Sequence, residues 1–257
     1  VYKRQVYLCF DVNEETLPAA VAGLKTCGIR GFNLTMPNKN KIVELLDELS
    51  PEAQLIGAVN TVLNDNGKLI GYNTDGYGFM QSVRDAGHDI TGKNITVMGV
   101  GGASMAICAQ SALDGAASVH IFARRTSRYW NRTQKFAENL SAKTGCQVCL
   151  FDNDDHTALR DSIAQSYLLI NATSVGMVPD IDDTIIKDTS LFHPELVVAD
   201  VVYEPQETRL LREAKAAGCQ TFNGMYMLLH QGAKAFQIWT GQEMPVSVIK
   251  EKYFSVK

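Results

Sequence analysis

The stretch NITVMGVGGASMAICAQSALDGAASVHIFARR, residues 94–125, constrains this chain more than any other. An apolar run, a glycine turn, a helix of small residues and a second apolar run follow in that order, the signature of a βαβ unit. The later runs CQVCLF, YLLINAT, LVVADVVY and QTFNG read as further strands, with RLLREAKAAG as a helix between the last two. The expected fold class is therefore α/β, with a Rossmann-like doubly wound parallel sheet covered by helices on both faces.

A smaller α/β unit is expected ahead of it. Val6–Phe10 suits a strand, and NEETLPAAVAGLKTCG a helix with an acidic first turn that stops at Gly28. RGFNLTM reads as a strand ending at Pro37. In NKNKIVELLDELSPEAQLIG, the spacing of Ile42, Leu45, Leu46 and Leu49 predicts a helix broken at Pro51. AVNTVLNDNGKLIGYNTDG then reads as a hairpin turned by Asn66 and Gly67. With 257 residues, the chain is longer than the roughly 100–150 of one typical domain.

The glycine turn points to a dinucleotide. Gly99 and Gly101 supply the tight turn and bare backbone, Val100, Gly102 and Ala103 complete the loop, and Ser104 fills the third small position. At the end of the second strand an NAD enzyme places an acid for the ribose hydroxyl. Here that place reads FARRTSR. Arg124, Arg125 and Arg128 offer guanidinium forks suited to a 2′-phosphate, Thr126 a hydroxyl, and Ala123 closes the strand. NADP is expected over NAD, although NAD is possible; the plainer reading of the arginines is a solvated helix start.

A formal charge of −4 gives no basic surplus for nucleic acid, and no apolar run approaches the ~20 residues that span a membrane. The first residues lack the apolar segment of a signal peptide, so a cytoplasmic location is expected. Six scattered cysteines read as reduced thiols, CQVC included. The dispersed histidines His88, His120, His156 and His193 predict no metal site.

Seven segments in order, FNLTMPNK, GAVNTV, GYNTDGYGF, GVGGAS, NATSVGM, VVYEP and GMYMLLHQGAKAFQIWTG, carry a more specific signal. Together they resemble the shikimate dehydrogenase family, and MPNK with the last segment is most similar to its quinate/shikimate dehydrogenase branch. The resemblance implies a two-domain oxidoreductase. It would interconvert shikimate and 3-dehydroshikimate, or quinate and 3-dehydroquinate, so its partner would be a polyhydroxylated cyclic carboxylate. The protein would be a monomer or homodimer. A substrate domain is expected over residues 1–76 and 224–257, with the cofactor domain over 77–223.

By motif position the resemblance makes Lys39 the catalytic lysine and Asp75 its partner, while Thr35, Asn60 and Gln231 hold substrate hydroxyls. Ser174, Val201, Tyr203 and Gly224 fall around the nicotinamide, with Tyr203 alternatively facing substrate. The residues alone leave other readings open: Asp75 as a helix cap, Asn60 and Asn73 as turn residues.

Two departures stand out. Members of the family begin with a further strand and helix that include a pair of serines for the substrate carboxylate, which nothing before Val6 supplies, so either the chain is truncated at its N-terminus or its carboxylate site is incomplete. The dual-cofactor branch follows its arginine pair with Asp where this chain has Thr126, which favours NADP. The rival function is a non-catalytic dinucleotide or metabolite sensor on the same scaffold.

The chemistry suits a lysine. Oxidising a secondary alcohol sends hydride one way and the hydroxyl proton to a base, and reduction needs the same group as an acid. Desolvation lowers a lysine's pKa toward neutrality and a nearby carboxylate opposes it, so Lys39 and Asp75 would form a balanced pair. Lys41 has no motif position and reads as a solvated neighbour.

Overall fold

The computed structural model describes residues 5–254 and divides into two units, Val1–Thr74 with Gln231–Lys257, and Asp75–His230.

In the unit Asp75–His230, six strands form one parallel sheet: β5 (Asn94–Met98), β6 (Ser118–Ala123), β7 (Gln147–Asp152), β8 (Leu168–Asn171), β9 (Val197–Asp200) and β10 (Gln220–Phe222). Their order is β10-β9-β8-β5-β6-β7. The order reverses between β5 and β8, which opens a ligand crevice at the carboxyl ends of those strands. All four residues of β8 and all four of β9 are buried, as a sheet covered on both faces requires. Met98, Phe122, Leu169 and Val198 from the strands meet Ile163, Leu210 and Leu211 from helices α7 (His156–Gln165) and α8 (Arg209–Ala216) in one core. Helix α4 (Asp75–Asp85) lies against α5 (Gly102–Leu113) so closely that a Cβ on Gly76 would sit 2.3 Å from the Ala106 carbonyl oxygen. Helix α6 (Trp130–Thr144) packs on β7 and beside α5.

The unit Val1–Thr74 with Gln231–Lys257 holds a four-stranded mixed sheet of order β1-β3-β4-β2. Its strands are β1 (Gly31–Asn33), β2 (Glu48–Leu49), β3 (Thr61–Asp65) and β4 (Lys68–Tyr72). The β3–β4 hairpin turns at Asn66 and Gly67, both at positive φ, the conformation the Asn-Gly pair selects. Leu17 and Val21 of α1 (Leu17–Thr26), with Ile42, Ala53, Val59, Val62 and Leu69, make its core.

Two expectations fail here. Val6–Phe10 forms no strand; the segment is irregular and its side chains are largely exposed, for no sheet edge among the described residues pairs with it. Residues 38–49 are not one helix. A single turn α2 (Asn38–Lys41) passes into a 3₁₀ turn at Ile42–Leu45 and then into β2, which pairs parallel with β4. Leu46 and Leu49 face Gly71, where an added Cβ would stand 2.5 Å from Leu46 Cδ1, so packing on the sheet overrides the helical spacing. Pro51 opens helix α3 (Pro51–Ile56) instead of ending one, because Ser50 caps it and proline fits the first helical position.

Helix α9 (Met225–Thr240) contains the divide at His230 and Gln231. Its later half is held to the mixed sheet by Trp239, whose indole N–H donates to the Val62 carbonyl at 2.9 Å. The same ring leaves no room for a Cβ on Gly31.

Candidate functional site

Lys39 sits half-buried in the single turn α2. Its carbonyl accepts from Val59 N at 2.8 Å, and its neighbour Asn38 donates through Nδ2 to the Val12 carbonyl at 2.6 Å. The lysine therefore projects from backbone fastened on both sides. Thr35 is exposed just before that turn, and Lys41 is exposed and paired with Glu44.

Asn60 precedes β3 and is only 2 % exposed. Its Oδ1 accepts from Thr74 N at 2.9 Å and from the Thr61 hydroxyl at 2.9 Å, while its Nδ2 donates to Thr74 Oγ1 at 3.0 Å. Across from it stands Gln231, whose Oε1 lies 3.5 Å from Asn60 Nδ2. Asn60 is thus no turn residue. Asn73, by contrast, donates to the Ala58 carbonyl at 3.1 Å and ties the end of β4 to the segment before β3. Asn33, Thr61 and Thr74 were not singled out from the sequence, yet they surround Asn60; the twin Asn-Thr pairs of VNTV and YNTDG were the available signal.

Asp75 is the first residue of α4 and is buried. It belongs to the other unit, as do all the residues expected to hold a cofactor.

There, the loop from Gly99 to Ala103 leaves β5 at the point where the strand order reverses. Gly99 has φ +110°, and a Cβ on it would meet Thr173 Cγ2 at 2.8 Å and the Ala172 carbonyl oxygen at 2.9 Å. Only glycine fits. Gly101 and Gly102, in contrast, are exposed, and no heavy atom lies within 4 Å of the place a Cβ would take. Ser104 is buried and donates to the Gly99 carbonyl at 2.6 Å, closing the turn from inside. Backbone N–H groups at the start of α5 remain for an anion.

At the end of β6, Ala123 is buried and Arg124, Arg125, Thr126 and Arg128 are exposed in the turn that follows. Arg125 lies over the Trp130 ring at 4.7 Å and Arg128 over the Tyr129 ring at 4.7 Å. Stacking narrows the rotamers of both guanidinium groups without neutralising them. An open glycine backbone followed by a stacked arginine pair fits a dinucleotide bearing a 2′-phosphate.

The remaining residues cluster at the ends of β8 and β9. Asn171 donates to the Asp200 carboxylate at 3.0 Å and to the Val175 carbonyl at 3.1 Å, shaping the loop that exposes Ser174. Asp200 also accepts from Val202 N at 2.9 Å and from the Thr208 hydroxyl at 2.7 Å, which shapes the loop carrying Val201 and Tyr203. Burial pushes the Asp200 carboxyl above its ordinary range, against the pull of those three donors. Gly224 presses on this loop: a Cβ there would stand 2.0 Å from the Val201 carbonyl oxygen. Sequence reading singled out Ser174, Val201, Tyr203 and Gly224 but not Asn171, Asp200 and Thr208, which bind their two loops together.

The cysteines of CQVC form no disulfide, and burial pushes the Cys146 thiol up to about 11 and the Cys108 thiol to about 12. Among the described residues, no three His, Cys, Asp or Glu side chains gather as a metal site, and no helix is long and apolar enough to cross a membrane.

Comparison with known proteins follows the same division. Residues 3–62 match the shikimate dehydrogenase substrate binding domain, and residues 224–252 the shikimate 5′-dehydrogenase C-terminal domain. Over 249 residues, 97% of this chain and 85% of the relative, the sequence is 51% identical to the shikimate dehydrogenase (NADP(+)) of Listeria innocua. It is 42% identical to the quinate/shikimate dehydrogenase of Escherichia coli, over 95% of this chain and 85% of that protein. The crystal structure of shikimate 5-dehydrogenase from Listeria monocytogenes, in complex with shikimate and NAD, superposes with a TM-score of 0.93 at 50% identity, covering 96% of this chain and 85% of that one.

Proposed function

The chain belongs to the shikimate dehydrogenase family, and we propose that it transfers hydride reversibly between shikimate and NADP, with quinate and NAD as secondary partners. The observation that carries this reading is 51% identity spread over 97% of the chain, because it takes in both units. A sensor on the same scaffold has no comparable support.

Bound NADP supplies the hydride acceptor for oxidation and, reduced, the donor for the reverse. The chain supplies the rest. As the alcohol's C–H bond breaks, the Lys39 amine takes the hydroxyl proton; in reduction the ammonium returns it to the carbonyl oxygen. Asp75 serves as its partner carboxylate and fixes its position for that transfer. Asn60, Gln231 and Thr35 orient the other hydroxyls, so that the reacting carbon is presented in one pose. Gly101, Gly102 and the first turn of α5 receive the pyrophosphate, and Arg124, Arg125, Thr126 and Arg128 the 2′-phosphate. Ser174, Val201, Tyr203 and Gly224 border the nicotinamide.

Initial rates with shikimate or quinate and NADP⁺ or NAD⁺ test the reading in four assays. Shikimate with NADP⁺ is expected to be fastest. No nicotinamide reduction in any of the four would overturn it.

A further inference from the structure

The unit Asp75–His230 holds an open cavity of about 320 Å³ away from the residues assigned so far. It lies between the last turns of α4, which give Met80, Val83 and Arg84, the segment His88–Thr91 that leads into β5, and Asp114 just past the end of α5. Helix α5 begins at the glycine loop and runs for 12 residues. At about 1.5 Å per residue its far end stands roughly 18 Å from that loop, so the cavity is a separate place. Its floor is apolar, with Met80, Val83 and Ile90 at most 4 % exposed.

The rim carries a negative excess. Arg84 is taken up by Asp114, Nη1 to Oδ2 at 2.9 Å, and Gln110 donates to the other Asp114 oxygen at 2.8 Å. Asp89 has no such cation bound to it. Its Oδ1 accepts from Thr91 N at 2.9 Å and from the Thr91 hydroxyl at 2.8 Å, which holds the carboxyl below its ordinary range. Its Oδ2 has no hydrogen-bond partner among the described residues, and Lys93 is turned over the Tyr167 ring, 5.4 Å from its centre. Helices α4 and α5 both end at the cavity, and their C-terminal carbonyls add negative potential. His88 supplies a directed group: it is 9 % exposed, stacked on Phe222, with Nδ1 2.8 Å from the Tyr167 hydroxyl. Burial lowers its pKa, which keeps the ring neutral. Nε2 has no partner among the described residues and is the polar atom this ring offers the cavity.

We propose that this cavity is a binding site for a small organic amine. Its apolar body lies on Met80, Val83 and Ile90, and its ammonium group meets the acidic rim, where Asp89 is the counter-ion. With the His88 ring proton on Nδ1, toward the Tyr167 oxygen, Nε2 is a second acceptor. A neutral isostere of the amine forfeits the ion pair, and an anion of the same shape is repelled. Nothing in the site depends on the hydride-transfer reaction.

Three probes test it: 2-phenylethylamine, 2-phenylethanol and phenylacetate share a body and differ in charge, and each is titrated into methyl-labelled protein followed by NMR. The amine is expected to bind with a Kd on the order of 1 mM, the range open to so small a ligand, and to shift the methyl signals of Met80, Val83 and Ile90. The alcohol should bind about fivefold more weakly, the loss of one exposed ion pair, and phenylacetate more weakly still. Asp89→Asn keeps an oxygen for Thr91 and removes the charge. In that variant the amine is expected to fall about fivefold, to the level of the alcohol, while the alcohol binds as in wild type. Saturating NADP should leave the amine in place. Absence of those methyl shifts with the amine, equal affinity for amine and alcohol, undiminished amine binding in Asp89→Asn, or displacement by NADP would each overturn the site.

Discussion

The surroundings of Asn60 and the loop after β5 are built in opposite ways. Around Asn60 the polar groups orient one another through side chains: Thr61 and Thr74 are buried with it, Gln231 is half-buried and Asn33 lies at the exposed edge. At the loop after β5 the useful atoms are backbone N–H groups made accessible by bare glycines, with arginines stacked on aromatic rings beyond. On the function proposed above, the difference follows from the ligands. Several hydroxyls on a ring are told apart only by donors and acceptors of fixed direction, and fixing a side-chain amide takes a buried network. A pyrophosphate needs only positive potential and close backbone approach, which glycine and a helix start provide.

That division breaks differently on each side. The largest effect is expected from Lys39→Ala, which should lower turnover on the order of a thousandfold, the scale of general acid–base catalysis. NADP binding measured by calorimetry should be unaffected, and near-normal turnover would remove the lysine from the reaction. Next comes Gly99→Ala, which forces a side chain into φ +110° against Ala172 and Thr173. It should cost about 2 kcal/mol in denaturant unfolding and weaken NADP while leaving shikimate binding intact. Unchanged stability would mean that the turn can reshape.

The smallest effect concerns Asp200, which joins the β8 and β9 loops. Its carboxyl is raised by burial. A carboxyl raised in the folded state contributes most below its unfolded value of about 3.9 and loses that contribution as pH climbs through the folded value. Asp200→Asn, whose amide can still accept from Val202 N and Asn171 and donate to Thr208, removes that loss. Relative to the variant, wild type should therefore lose stability as pH climbs from about 4. A difference that stays flat across those pH values would contradict the assignment.

Legibility in the sequence followed the same split. The parallel sheet was readable because its strands are buried on both faces, and apolar runs such as LVVA at β9 suit a covered strand better than any surface element. The segment 38–56 was not. Its leucines keep helical spacing, but Leu46 packs on Gly71 from extended backbone just after a 3₁₀ turn and Leu49 from a two-residue strand, a choice set by the neighbouring hairpin. Among candidate site residues, Gly99 and Arg125 announced themselves through local motifs. Thr61, Thr74, Asn171 and Asp200 did not, since each acts by orienting another side chain brought near only by the fold. Lys39 stood out through its neighbours in TMPNK, and Asn60 through family likeness; the spacing of polar residues alone pointed to neither.

The division of recognition between the two regions is tested most directly by initial rates over a grid of shikimate and NADP⁺ concentrations for wild type, Asn60→Leu and Arg125→Gln. Asn60→Leu is expected to raise KM for shikimate at least about tenfold and leave KM for NADP alone, while Arg125→Gln does the reverse by roughly ten- to a hundredfold, the range of hydrogen bonds to charged groups. If either variant moves both constants together, or moves the wrong one, the two regions do not divide recognition in this way.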